Sequence, residues 1–168
     1  QFKRRDSTNF IGSYTQQREE ILIKLESADL ELYGLKWNKL HRRPQNWRIS
    51  TNMVDYKKLI DIYNSTVSSI NISQIQNVSN GVNMRIFETV ACGSCLITDN
   101  LKDLELCFEP NKEVLVYNDT DELLELIQKV NNDKKFASSI VHNAQQRIQN
   151  SKYTYKDRTQ YMIENTQR

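Results

Sequence analysis

Short apolar runs alternate with amphipathic stretches along the chain, and polar, glycine-punctuated segments separate them. Asn9-Phe10-Ile11-Gly12 and Leu30-Glu31-Leu32-Tyr33-Gly34 read as strands ending in glycine. Between them, Thr15 to Glu26 carries Ile21, Leu22 and Leu25 on one face and reads as a helix. Residues 35–48 hold two tryptophans and a basic cluster without a period, which predicts a loop with one helical turn. Arg48 to Met53 reads as a short strand, and Asp55 caps a helix to Tyr63 with Leu59, Ile60 and Tyr63 inward. Val67 to Ile72 is the strongest strand signal, followed by a polar stretch from Ser73 to Val82. Asn83 to Cys92 is helical with Met84 and Phe87 inward, and Gly93 stands where a C-terminal cap belongs. Cys95 to Thr98 is a strand, Leu101 to Phe108 a short helix, and Val114 to Tyr117 a strand. Asp119-Thr120-Asp121-Glu122 opens a helix through Val130, and further helices cover Lys134 to Asn150 and Lys156 to Asn165.

Strands alternating with helices, without an Asn-Gly hairpin, predict an α/β fold: a Rossmann-like parallel sheet covered by helices on both faces, plus a C-terminal helical tail. The 168 residues suffice for one core, and 38% hydrophobic with 26% charged residues fits a polar globular domain. No apolar run approaches the roughly 20 residues of a transmembrane helix. A net charge of +2 demands neither a nucleic-acid nor a membrane partner. Three cysteines argue against a disulfide framework and for a reducing, cytoplasmic setting. The chain opens at Gln1 without a signal-type stretch and is expected to be a fragment of a longer protein. Residues 1–8 are expected to be frayed or residual linker, 9–150 the sheet domain, and 151–168 a helix packing back on it.

In such sheets ligands bind at the carboxyl ends of the strands, so the strand-to-helix turns carry the information. Gly12-Ser13-Tyr14 has one glycine rather than the dinucleotide fingerprint. Gly12 can let backbone approach a ligand, helix-start N–H groups can meet a phosphate, and Arg18 can add charge. Equally, Gly12 is a turn residue and Arg18 a surface charge. In Asn83-Met84-Arg85-Ile86-Phe87-Glu88, Arg85 and Glu88 share a helix face. An arginine at a helix start opposes the dipole unless an anion sits there, and a glutamate can accept both hydroxyls of a ribose. The alternative is an i, i+3 salt bridge worth a few tenths of a kcal/mol. Cys92-Gly93-Ser94-Cys95 has redox spacing but lies at a helix C-terminus, which favours structural thiols. His41 and His142 are too isolated for a metal site or a histidine-based triad.

Five segments then occur in one order: Gly12-Ser13-Tyr14 through Arg18, Leu32-Tyr33-Gly34, Asn83-x-Arg85-x-Phe87-Glu88-x-x-Ala91-Cys92-Gly93, Phe108-Glu109-Pro110-x-Lys112-Glu113 and Thr154-Tyr155-x-x-Arg158. Over residues 9–164 the chain resembles the C-terminal domain of GT-B glycosyltransferases, in the CgeB-like branch of glycosyl transferases group 1. The resemblance implies one half of a GT-B fold that holds a nucleotide-diphosphate sugar donor, with the acceptor (a glycan, protein or small molecule) bound by an N-terminal domain. It implies no resident cofactor or metal, the nucleotide sugar being substrate, and a fragment inactive alone. Many retaining relatives carry Glu-x7-Glu. Glu88 matches the second, ribose-binding glutamate, whereas Asn80 replaces the first. Many also carry Gly-Arg and a lysine five residues later, replaced here by Ser13 and Arg18. Arg85 then makes up the lost charge. The expected donor site is Gly12, Ser13, Tyr14, Asn80, Gly81, Asn83 and Glu88, with Arg85 and Arg18 as catalytic stabilisers of the leaving diphosphate. Two rivals are a binding module that kept the fold without the chemistry, and a receiver-like signalling domain. The second needs clustered acids at strand ends, where this chain has Gly12, Gly34 and Asp99.

Overall fold

The computed structural model describes residues 4–74 and 81–166. Its strands are β1 (Arg5–Ile11), β2 (Leu30–Tyr33), β3 (Arg48–Ser50), β4 (Thr66–Asn71), β5 (Cys95–Asp99) and β6 (Leu115–Tyr117). Its α-helices are α1 (Gln16–Leu22), α2 (Tyr56–Ser65), α3 (Met84–Ala91), α4 (Thr120–Asn132), α5 (Lys134–Gln149) and α6 (Tyr155–Thr166). The strands form one parallel sheet in the order β3-β2-β1-β4-β5-β6. This is the Rossmann-like α/β fold that the alternation of elements predicts.

Alternating strand residues feed two cores. Phe10, Ile97 and Leu115 pack with Leu22 and Leu25 of the α1 region and with Leu123 and Ile127 of α4. Their chain neighbours point the other way: Ile11 packs with Leu59, Ile62 and Tyr63 of α2, and Leu96 with Ile86 and Val90 of α3. Burial of each such side chain contributes about 1.5–3 kcal/mol. Helix α5 bridges the layers, packing on α4, β5 and α3. The central strands also bury polar side chains, which pair across the sheet. Asn9 donates to Thr66 Oγ1 at 2.6 Å, Ser69 donates to Asn9 Oδ1 at 2.7 Å, and Thr8 bonds Ser68 at 2.7 Å. Each is satisfied, so β1 and β4 tolerate serine, threonine and asparagine in the core.

Side-chain caps start the helices where the sequence places them. Thr15 accepts from Arg18 N at 3.2 Å, Asp55 from Lys58 N at 2.7 Å, and Asp119 from Glu122 N at 2.9 Å. Gly93, with φ 74°, ends α3 as expected. Four local expectations change. Residues 5–8, read as frayed from their polarity, belong to β1, and Ser7 and Thr8 are buried. The short helix expected over Leu101 to Phe108 is of the 3-10 kind and is confined to Lys102–Leu106. Ile86 and Val90 fill the core side of α3, while Met84 is exposed and Phe87 packs sideways on Phe108 and Tyr153. In the tail, Tyr153 holds the connection by donating to Cys107 O at 2.6 Å, whereas α6 itself buries no side chain. Among the described residues no helix is long and apolar enough to cross a membrane.

The chain runs from β1 to one side of the sheet through β2 and returns to its other side at β4. The crevice at the carboxyl ends of β1 and β4 is therefore the topological switch point.

Candidate functional site

The β1–α1 turn is built by the segment after β2. Gly34 has φ 141°, and a Cβ there would lie 2.3 Å from Gly12 O. Only glycine permits that approach. Trp37 Nε1 donates to Gly12 O at 2.8 Å, Gly12 N to Tyr33 O at 2.9 Å, and Tyr14 N to Leu35 O at 2.9 Å. At Gly12 itself a Cβ would meet Phe10 Cζ at 2.9 Å and Arg18 Nη1 at 3.1 Å. The bare Cα thus gives room to Arg18, a packing role beside the ligand approach expected from sequence.

Arg18 lies over the Phe10 ring at 5.2 Å. It donates to two main-chain carbonyls, Ser13 O at 2.8 Å and Ile72 O at 3.3 Å, and so ties the β1 turn to the end of β4. Its buried Nε has no hydrogen-bond partner among the described residues. Burial, and next the nearby Arg85 guanidinium, lower its pKa; Asp99 opposes them. Two cations therefore converge on the crevice, and no carboxylate among the described residues forms a salt bridge with Arg18.

The far wall is the start of α3. Arg85 and Glu88 form an ion pair at 2.8 Å, so in the ligand-free molecule the i, i+3 bridge is made. Tyr63 of α2 is buried, and burial raises its pKa while Thr89 and Arg85 lower it. Asn83 occupies the N-cap position, but its side chain makes no cap bond. It donates instead to Asn71 Oδ1 at 3.0 Å. Asn71 donates to Thr98 Oγ1 at 3.0 Å and to Asp99 Oδ1 at 3.2 Å, and Ser73 Oγ donates to the same oxygen at 3.1 Å. Burial, the largest influence, raises the Asp99 pKa against these hydrogen bonds. The first backbone N–H groups of α3 thus lack a side-chain cap, in the arrangement that favours an anion.

Gly12, Ser13, Arg18, Asn83, Arg85 and Glu88 are thus gathered near the carboxyl ends of β1 and β4. Ser13 is exposed, with its carbonyl turned to Arg18. Gly81 is partly buried in the irregular approach to α3, and Asn80 lies outside the described residues. Tyr14 turns away, its O–H donating to Glu19 Oε2 at 2.6 Å. The buried Glu19 also accepts from His41, at Oε1 from the backbone N–H (2.7 Å) and at Oε2 from Nδ1 (2.9 Å). His41 is therefore not isolated, as its lone place in the sequence suggested, but held by a carboxylate on the far flank of α1. Asn71, Ser73, Asp99 and the Ile72 carbonyl were not singled out as site residues, because only the fold brings β4 and β5 beside the first turn. The three cysteines are free, and burial pushes the Cys95 thiol up to about 12, which suits structural thiols.

Comparison with known proteins agrees with this architecture. The chain is similar in fold to sucrose-phosphate synthase from Thermosynechococcus elongatus, with a TM-score of 0.74 and 15% identity over 96% of this chain and 45% of that one. It is similar to T4 phage β-glucosyltransferase, solved in complex with its UDP-glucose substrate, with a TM-score of 0.73 and 12% identity over 96% of this chain and 49% of that one. It is also similar to the C-terminal domain of a glycosyl transferase group 1 family protein from Francisella tularensis, with a TM-score of 0.66 and 10% identity over 85% and 84% of the two chains. The chain spans about half the length of the first two. No curated protein sequence matches it. Residues 16–164 match the sequence model of the family described as glycosyl transferase-like. The chain belongs to that glycosyl transferase-like family and has the architecture of a GT-B half.

Proposed function

We propose that this chain is the donor-binding half of a GT-B glycosyltransferase of the CgeB-like branch. It would hold a nucleotide-diphosphate sugar while another domain presents the acceptor. The observation that carries the reading is Arg18: a part-buried guanidinium at the switch point, hydrogen-bonded among the described residues only to carbonyls and repelled by Arg85. Such a cation is stabilised by an incoming anion. The diphosphate would lie between Arg18, Arg85 and the uncapped start of α3, which together stabilise the charge that develops as the glycosidic bond breaks. Glu88, once released by Arg85, would accept the ribose hydroxyls. The reading assigns the leaving group's charge to these side chains and needs no resident cofactor. The three free cysteines support a cytoplasmic setting.

Calorimetric titration with UDP, GDP and TDP, their sugars and the bare nucleosides tests this. One diphosphate series should bind, and Arg18→Ala should weaken it by roughly 1.5–3 kcal/mol while leaving the nucleoside unchanged. Equal loss for nucleoside and diphosphate would reject the assignment. Asn80 and Ser13, which stand where many relatives carry a glutamate and an arginine, favour a second reading, a nucleotide-binding module without transfer chemistry. Binding without sugar turnover by the full-length protein would select that reading.

A further inference from the structure

The geometry points to Asn83 as a residue that selects the transferred sugar, its side-chain oxygen accepting a hydrogen bond from a sugar hydroxyl. This rests on the donor-binding reading. The relay of hydrogen bonds starts at Asp99. The Ser73 backbone N–H donates to Asp99 Oδ2 at 3.3 Å, which marks that carboxylate as an acceptor. Asn71 must then present its NH2 to Asp99 Oδ1, as it does at 3.2 Å, and turn its own Oδ1 outward. That oxygen can only accept, so Asn83 must present its NH2, which it does at 3.0 Å. The relay fixes which way the Asn83 amide faces, a choice that geometry alone leaves open for an asparagine.

What remains is Asn83 Oδ1, buried and, among the described residues, without a donor. At an N-cap position this oxygen ordinarily accepts from the helix's own N–H groups, but α3 makes no such bond. An unmet acceptor costs stability unless a ligand answers it. The location is also specific. Asn83 bonds Asn71 while Arg18 bonds Ile72, the next residue, so both side chains converge on the end of β4. In the donor-binding reading the diphosphate lies at this end of β4, yet a phosphate oxygen has no proton to give at neutral pH. The partner must be a hydrogen-bond donor elsewhere on the ligand, and the nucleobase N–H groups are separated from the diphosphate by the ribose. The ribose hydroxyls belong to Glu88 in the reading above, which leaves the sugar on the other side of the diphosphate.

The test compares wild type with Asn83→Ala by calorimetry, using UDP against UDP-glucose, GDP against GDP-mannose and TDP against TDP-glucose. We expect affinity for the preferred nucleotide sugar to fall roughly 3- to 10-fold, the worth of one hydrogen bond, with the free diphosphate changed less than twofold. Asn83→Gly, a residue accepted at N-cap positions, should behave alike and guards against a folding defect in the alanine variant. Equal losses for sugar and free diphosphate would overturn the sugar assignment and place the contact on the nucleotide. Unchanged affinity for both would overturn the role of Asn83 while leaving the donor-binding reading intact. If wild type binds none of the probes, that reading fails and this inference with it.

Discussion

Two groups of cations sit at opposite ends of the sheet, and their surroundings differ in kind. At the amino end, the buried Glu31 carboxylate accepts from Arg5 Nε and Nη2 at 2.7 Å each, from Ser7 at 2.6 Å, from Tyr33 at 2.7 Å and from Arg48 at 3.0 Å. Burial pushes its pKa up, but these hydrogen bonds and the Arg5 charge outweigh it and hold the value at about 2. At the carboxyl end, among the described residues, Arg18 hydrogen-bonds only carbonyls, Arg85 opposes it, and Arg18 Nε and Asn83 Oδ1 have no hydrogen-bond partner. A charged cluster that serves stability closes on itself. One that serves binding keeps unused donors and acceptors, and in a parallel sheet it does so at the strand carboxyl ends.

The largest test of that contrast is Glu31→Gln. Removing the charge from a closed, buried cluster should cost about 3–5 kcal/mol of unfolding free energy, read by urea denaturation at neutral pH. The pH dependence follows from the sign of the shift. Glu31 titrates at about 2 in the folded chain against 4.5 when free, so its contribution is whole above about pH 4.5 and fades as pH falls toward 2. The loss over that window should be about 3 kcal/mol in wild type and absent in the variant. An identical acid slope in both proteins would show that the cluster is not closed as described.

Arginine removal at each end sharpens the comparison. Arg5→Ala strips the bidentate partner from a side chain that is 1% exposed, and should cost about 2–3 kcal/mol of stability. Arg18→Ala leaves two carbonyls to water and removes a repulsion, so its stability cost should stay below about 1 kcal/mol while diphosphate binding falls. Thermal melts of the two variants, side by side, measure this. A reversed order would make the carboxyl-end cluster the structural one.

Periodicity and turn chemistry made most of the fold legible: Phe10 and Ile11, or Leu96 and Ile97, announce a two-faced sheet by their neighbouring apolar side chains. The Asp119 cap and Gly93 mark helix ends for reasons local to a few residues. What the sequence hides is long-range pairing. Polar residues 5–8 form strand because Glu31 and Ser68, far along the chain, answer Arg5, Ser7 and Thr8. Arg18 and Arg85 could be named from the sequence because each follows a strand-to-helix turn. Asn71, Ser73 and Asp99 could not be joined to them, since that link exists only once β4 lies between β1 and β5. The Glu19–His41 contact was hidden in the same way, 22 residues apart with no local pattern.

The smallest expected effect concerns the Arg85–Glu88 pair, which stands between the two kinds of cluster. It is closed, like the amino-end group, but lies at the binding edge with Arg85 41% and Glu88 21% exposed. A helical i, i+3 pair at that exposure contributes about 0.2–0.5 kcal/mol. Against this, Arg85 stands at the start of α3, where a cation opposes the dipole by a similar amount, and it repels Arg18. Arg85→Ala should therefore leave unfolding free energy within about 0.5 kcal/mol of wild type. Glu88→Gln removes the favourable pair but keeps both opposing interactions, so it should be the more destabilising of the two, by a few tenths of a kcal/mol. Precise denaturation curves on both variants give the ranking. Were Arg85→Ala to cost more than about 2 kcal/mol, far above the worth of an exposed pair, Arg85 would be a structural partner of Glu88 and Tyr63. The crevice would then hold one available cation, Arg18, too little to balance a diphosphate.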